Sequence, residues 1–354
     1  MDSIASQYRF YVAALGAVLG LALLGVFAVN TWIDPLWHFK GNRLGEISYR
    51  FEERNMKLNA FMKDPDKYDC IILGASRTTL LDESALGEVG SCFNLAFSLG
   101  HVREFRIIAE YLAARGYTPE RVIVGVDEVS FQPRAYTDGE KLPEYVLTQT
   151  RPKWPIEDYL GRTTLRFSFE TLFNPPDFLR GYKRRADGSY EGILMPSSQT
   201  YNPQQHELLT DQHFERLDAE MLAEFVSLRN VFPTAEYIGY VPPLSDWRSV
   251  RLDLTDNLEI FLDLKFEISK LFEGGFWDFS VPSELTADPS RTADGEHYDV
   301  AANAQIAACL SGERAQCGAD VRSFERQAYR DATLVPVRER IEREKLTVAL
   351  EGAE

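Results

Sequence analysis

The sequence predicts an α/β fold: a parallel sheet with helices on both faces, three layers thick, behind an N-terminal transmembrane helix and interrupted by an inserted cap segment. Three observations predict it. Residues 70–73, 91–96 and 121–127 are short apolar runs that read as buried strands. A clear amphipathic helix separates the second from the third. Strand, helix and strand at this spacing mark βαβ units. At 354 residues, with 45% hydrophobic and 12% aromatic residues, the chain can build a sizeable core.

The first element precedes the sheet. Residues 10–29 form an uncharged run of twenty residues, about 30 Å long as a helix, the thickness of a bilayer's hydrocarbon core. A cleaved signal peptide has an apolar region of about 7–15 residues and an Ala-x-Ala-like exit. The exit here, Phe27-Ala28-Val29-Asn30-Thr31-Trp32, fits an uncleaved anchor better. Trp32 and Trp37 suit an aromatic belt at the interface, and Gly16 and Gly20 form a GxxxG. Arg9 lies before the helix and Lys40 and Arg43 after it, so charge counting does not favour an exported domain. The net charge of -16 argues against a nucleic-acid partner.

Residues 31–67 are mixed, with Arg50, Glu52, Glu53 and Arg54 in a helix leading into the first strand. That strand runs directly into Gly74-Ala75-Ser76. A serine just past the C-terminal end of a central strand sits where open α/β sheets place their ligands. A helix starting after the turn would bring backbone N–H groups and its dipole to the Ser76 hydroxyl. Two readings of Ser76 stand: a reactive hydroxyl, or a cap for that helix. Asp82 and Glu83 follow in a helix or loop. The second strand opens into Phe97-Ser98-Leu99-Gly100. In the helix over residues 101–115, Val102, Phe105, Ile108, Tyr111 and Leu112 make one stripe, and Gly116 ends it.

From about 130 to 212 the periodicity fails, and this stretch reads as a cap over the sheet. Its Lys183-Arg184-Arg185 cluster reads as a solvated face; His206 and His213, seven apart, have no acidic partner at metal-ligand spacing. A helix over 213–230, a strand over 235–241, a helix over 254–272 and a last strand over 276–279 restore the pattern. The expected organisation is an anchor over 1–33, an α/β domain over 34–317 and a loosely packed, charged helical tail over 318–354. Of the four cysteines, Cys309 and Cys317 could close a small loop or stay free, and a bridge there would indicate an oxidising compartment. Cys70 and Cys92, in core strands, read as buried inert thiols.

Late in the chain stands Asp294-Gly295-Glu296-His297, on a loop before a helix beginning at Asp299. An Asp three residues before a His supplies two members of a catalytic triad: the carboxylate orients the imidazole, whose other nitrogen reaches a serine.

Together these blocks resemble the SGNH/GDSL hydrolase superfamily, in particular its membrane-anchored relatives linked to cell-envelope glycan acylation. The matching pieces are Gly74-Ala75-Ser76, Asn94-Leu95-Ala96 through Gly100, Gly125-Val126-Asp127 and Asp294-Gly295-Glu296-His297, with Trp277-Asp278-Phe279 and Leu285-Thr286 resembling the lead-in to the last block. The resemblance covers roughly residues 68–130 and 235–310. It implies a flavodoxin-like three-layer fold, and Ser76 as nucleophile, His297 as general base and Asp294 as its orienter. It also implies an oxyanion hole from the backbone N–H groups of Ser76 and Gly100. The superfamily's third block carries an Asn that completes the hole, where this chain has Asp127. An ionised carboxylate repels an oxyanion, so Asp127 does something else, Asn94 substitutes, or the site is weakened. Losing such a donor costs on the order of 10²–10³ in rate. Arg77 is placed either to bind an acidic substrate group or to form a salt bridge.

The implied activity is ester hydrolysis or O-acyl transfer, O-acetyl above all, on an envelope polysaccharide or related carbohydrate. It needs no metal or organic cofactor and is placed on the periplasmic or extracytoplasmic side. The implied partners are the membrane, a carbohydrate or acyl-ester substrate, and proteins of an envelope complex. Two other readings remain: a catalytically inert SGNH-like scaffold or glycan-binding module, and a lipid-directed esterase with a wide apolar cleft lined by the insertion.

Overall fold

The computed structural model describes residues 2–350 except 40–46, 49–51, 88, 133–141, 151–155, 174–179, 185–189, 195–200, 204–207, 211–215 and 348. His206 and His213 lie outside the described residues. The apolar N-terminus forms one helix, α1 (Asp2–Ile33), long and apolar enough to cross a membrane. After α2 (Glu53–Phe61) come β1 (Cys70–Leu73), β2 (Cys92–Asn94), α3 (Val102–Ala113) and β3 (Arg121–Gly125). Among the described residues, the stretch read as a cap contains a one-turn helix, Glu144–Leu147, and two longer ones, α4 (Ile156–Leu160) and α5 (Arg162–Phe173), which pack on α1. It also holds the antiparallel pair Arg180–Arg184 and Tyr190–Leu194, to which Ile47–Ser48 adds a strand.

The main sheet resumes with α6 (Met221–Val231) and β4 (Glu236–Val241), then α7 (Asp246–Leu254), α8 (Leu258–Ser269) and β5 (Phe276–Asp278). The expected helix over 254–272 is α8, shorter at both ends; the unexpected α7 precedes it and stops at Leu254, with the left-handed Asp256, φ 57°, between the two. The chain ends through α9 (Val300–Leu310), β6 (Ala319–Asp320) and α10 (Arg326–Glu344).

The six strands run in the order β2-β1-β3-β4-β5-β6. The first five are parallel, as expected; β6 joins the edge antiparallel, so the sheet is mixed. From β1 the chain steps outward to β2 and then back past β1 to β3, which makes the C-terminal ends of β1 and β3 a topological switch point.

Alternate residues of β1 serve two cores. Ile71 and Leu73 face the thicker one, with Phe105, Ile108, Phe225 and Phe261. Cys70 and Ile72 face a thinner one, closed by Ile306, Ala307 and Leu310 of α9. In the parallel pairing Cys70 stands opposite Cys92, and the two form a disulfide rather than free thiols. Cys309 and Cys317 form the second.

The C-terminal segment does not pack loosely. β6 hydrogen-bonds to β5, and α10 buries Tyr329, Thr333, Leu334 and Val337 against α7 and α8. The Tyr329 hydroxyl donates to Asp278 at 2.5 Å, and Lys265 reaches the same carboxylate at 2.7 Å. A buried carboxylate needs such partners, because leaving it unpaired costs several kcal/mol. Burial pushes the Asp278 carboxyl up, and Lys265 with the Ser280 and Tyr329 hydroxyls more than offsets this, holding it below its ordinary range.

Candidate active site

Beyond Leu73 the chain turns sharply instead of entering a helix. Thr78 N–H donates to the Ala75 carbonyl at 3.1 Å and Thr79 N–H to the Ser76 carbonyl at 3.2 Å, closing a turn that runs into a one-turn 3-10 helix, Thr78–Leu80. The expected helix N-terminus behind Ser76 is therefore absent, and Ser76 caps no α-helix. Gly74 is required by crowding: a Cβ there would lie 2.6 Å from the Thr78 Cβ.

The second half of the site is a loop folded on its own carboxylate. Asp294 Oδ1 accepts from the backbone N–H of Glu296 at 3.0 Å and of His297 at 2.8 Å. Gly295 takes a φ of 89° between them, and its N–H donates to Thr292 Oγ1 at 2.9 Å. Asp299 caps α9 and pairs with Arg291, fixing the far end of the loop. The loop holds His297 between two partners: Nδ1 lies 2.7 Å from Asp294 Oδ2, and Nε2 lies 2.9 Å from Ser76 Oγ. Burial pushes the Asp294 carboxyl up, but the hydrogen bond from the His297 ring, its charge and the two backbone donors outweigh this and hold it far below the usual carboxylate range. An ionised Asp294 on Nδ1 selects the tautomer whose Nε2 accepts the Ser76 proton.

The other residues singled out in the sequence have internal partners. The Asn94 amide donates to the Thr78 and Leu81 carbonyls at 2.9 and 3.1 Å and accepts from Ala96 N–H at 3.0 Å, so it braces the serine turn from below. Gly100 N–H donates to the Phe97 carbonyl at 3.1 Å; a Cβ on Gly100 would stand 2.7 Å from the Gly74 carbonyl oxygen. Its glycine is thus explained by close approach to the Ser76 turn. Arg77 is buried and forms a salt bridge with Glu128; its Nε lies 3.5 Å from Asp127.

Asp127 and Glu128 follow β3 at the switch point. Arg248, from α7, lies 3.7 Å from Glu128 and also pairs with Glu296 of the histidine loop. One ionic chain, Arg77–Glu128–Arg248–Glu296, therefore joins the serine turn to the histidine loop. Burial pushes Glu128 up, but Arg77 and Arg248 overcome it and hold its carboxyl below the usual value. Burial raises Asp127 to about 6, helped by Glu128 and Glu296 and only partly opposed by Arg77.

Sequence reading missed Glu128, Arg248 and Glu296 as one group, since nothing local relates them. It also missed the grip of α2 on the loop after β2. Arg54 pairs with Glu104 at 2.7 Å and donates to the Ser98 carbonyl at 3.3 Å, while Lys57 bonds the Ala96 carbonyl and Glu53 accepts from Ser98 N–H. This grip presents Leu99, with a φ of 51° and 55% exposed, on the loop tied to Gly74. The signal available in sequence was the charge density of α2, which is too high for a helix that ends up buried.

No protein-family model matches the chain, and no curated protein matches it either. The functional reading rests on the geometry and on the motif resemblance.

Proposed function

We propose that the chain is a serine enzyme of ester chemistry that works through an acyl-enzyme. More particularly, we read it as a membrane-anchored, SGNH-like esterase or O-acyltransferase acting on a cell-envelope polysaccharide or related carbohydrate, with O-acetyl as the transferred group. The observation that carries the reading is His297 standing 2.9 Å from Ser76 Oγ and 2.7 Å from Asp294, with Ser76 at the switch point of a doubly wound sheet. In the proposed reaction Ser76 Oγ attacks the acyl carbonyl while His297 Nε2 takes its proton. His297 returns that proton to the departing alcohol as the ester C–O bond breaks. Water or a sugar hydroxyl then gives its proton to His297 and attacks the acyl carbonyl, and the acyl–Oγ bond breaks as His297 returns that proton to Ser76 Oγ.

The two disulfides support placing the domain on an oxidising, extracytoplasmic side, and α1 suits an anchor. The glycan substrate rests on the resemblance alone.

The test is labelling of the full-length protein by a fluorophosphonate probe, beside Ser76→Ala. The full chain is needed because the end of α1 is part of the fold. Labelling at Ser76, lost in the variant, is the expected result; a folded wild-type protein that takes no label overturns the enzyme reading. A second reading, an inert module that binds glycan, is favoured by one observation: Asn94, Gly100, Arg77 and Asp127 all have internal partners where oxyanion or substrate contacts were expected. It predicts glycan binding without labelling.

A further inference from the structure

We propose that the outer face of α5 lies in the headgroup layer of the bilayer that α1 crosses, so that the globular part is held against the membrane at a fixed height instead of swinging on a tether. The argument starts at Asn30. The uncharged run of α1 ends at Val29, and its earlier turns are bare, with Leu15, Leu19 and Leu24 all more than half exposed. Asn30, the next residue, is fully buried. Its amide donates to the Tyr159 carbonyl of α4 at 2.7 Å, and its Oδ1 accepts from Ser168 of α5 at 2.8 Å. Phe27 meets the Tyr159 ring edge-on at 6.4 Å, and the Tyr159 hydroxyl bonds Asp34. α4 and α5 therefore clasp α1 at the level where the hydrocarbon-spanning stretch stops.

α5 turns Thr164, Phe167, Ser168 and Thr171 inward. Its outward stripe is Arg162, Arg166, Phe169 and Phe173, at spacings of four, three and four, which is one helical face. Phe169 is 48% exposed and Phe173 74%, and their rings stack at 5.8 Å. Two neighbouring exposed phenylalanines beside a lipid-facing helix, one residue from the Ser168–Asn30 bond, stand at the depth where interfacial helices bury aromatic rings. Arg162 and Arg166 occupy the other end of the stripe, where long cationic side chains reach lipid phosphates; Arg166 also faces Glu170 at 3.8 Å. Glu170, beside Arg166, keeps this surface from being strongly basic, so insertion of the rings, and not attraction to anionic lipid, holds it.

The test places a nitroxide at Phe169→Cys or Phe173→Cys in the full-length protein, in phosphatidylcholine nanodiscs with and without phosphatidylglycerol. All four native cysteines are paired, so labelling is specific. Val335→Cys, on the exposed face of α10, is the control. The expected result is oxygen accessibility exceeding that of the water-soluble nickel reagent at 169 and 173, in both lipids, with the opposite order at 335. Nickel access at 169 and 173 equal to that at 335 overturns the proposal. So does exclusion of both reagents, which would mean cover by protein, such as a second copy of the chain. A measurement without substitutions uses the wild-type chain and lipid carrying a photoreactive group near the headgroup. Adducts on the peptide containing Phe169 and Phe173, as well as on α1, are expected; adducts on α1 alone overturn it.

Discussion

Replacing Asp127 with Asn should stabilise the protein at neutral pH and leave it unchanged in acid. Asp127 is 1% exposed, and its contacts are long: 3.5 Å to Arg77 and 3.3 Å to Ser130. Around it stand Arg77, Arg248, Glu128 and Glu296, and the Tyr240 hydroxyl from the neighbouring strand. Two arginines already balance Glu128 and Glu296, so an ionised Asp127 is a surplus buried charge. Burial accordingly raises its pKa from 3.8 to about 6. The sign follows from proton counting. Between these values the folded protein holds a proton that the unfolded chain has lost, so wild-type stability is full below pH 3.8 and falls as pH rises through about 6. At about 1.4 kcal/mol per pH unit, the displacement is worth about 3 kcal/mol. Asn keeps the shape and removes the titration. Thermal unfolding of wild type and Asp127→Asn, in one detergent at fixed ionic strength, should therefore diverge by several degrees between pH 4 and pH 7. A difference that stays constant over that range would refute the reasoning, for it would mean Asp127 is ionised throughout.

Asp294→Asn should fold normally, because its side-chain oxygen can still take the two backbone N–H bonds of the loop, yet its amide would present N–H to His297 Nδ1. The imidazole then holds its proton on Nε2, facing Ser76, and the rate of fluorophosphonate labelling should fall about 10³- to 10⁴-fold; labelling within tenfold of wild type sinks the triad. Removing the Cys70–Cys92 bridge by a double alanine substitution opens a loop of 22 residues, and chain entropy puts the loss at about 3 kcal/mol. Alkylation of the denatured, unreduced wild-type chain followed by peptide mapping should find no labelled cysteine, and label on Cys70 and Cys92 would show that this bridge does not form.

The parts of this fold that were legible in sequence share one property: their signal is local. β1, α3 and β3 stand out because apolar runs and a helical stripe are read within one window. The pairing of Asp294 with His297 is equally local, since a three-residue spacing on one loop fixes their separation. What was not legible depends on contacts across the chain. Cys70 and Cys92 become partners only once β1 and β2 are paired in parallel at that register. The two residues of β6 carry no periodic signal and are defined by β5 beside them. α10 looked like a solvated tail because charge dominates its sequence, but its arginines meet acids on α7 and α8: Arg338 lies 3.0 Å from Asp253 and Arg330 3.3 Å from Asp263. Such pairs are partly exposed and each worth little. The buried Tyr329–Asp278–Lys265 group beneath them is what fixes the helix.

The absence of an α-helix after Ser76 changes where the site's electrostatics must come from. A long helix would bring roughly half a positive charge to Ser76; a single 3-10 turn brings much less. The nearest buried cation is Arg77, the residue after the serine, but Glu128 neutralises it. The same Glu128 meets Arg248, which holds Glu296, the residue before His297. Ser76 and His297 are 221 residues apart in sequence, and these four charges tie their backbones to one rigid ionic chain. The chain is buried at its centre, where removing one member leaves its neighbour charged and unpaired, so it resists relaxing in steps. Asp127 sits beside it as the surplus acid, and its protonation decides whether this cluster behind Ser76 is neutral or negative. An oxyanion forming at Ser76 would meet less repulsion from the neutral cluster. On this account an Asp can occupy the position after Gly125-Val126, because burial keeps it protonated over a pH range where an ordinary carboxylate is charged.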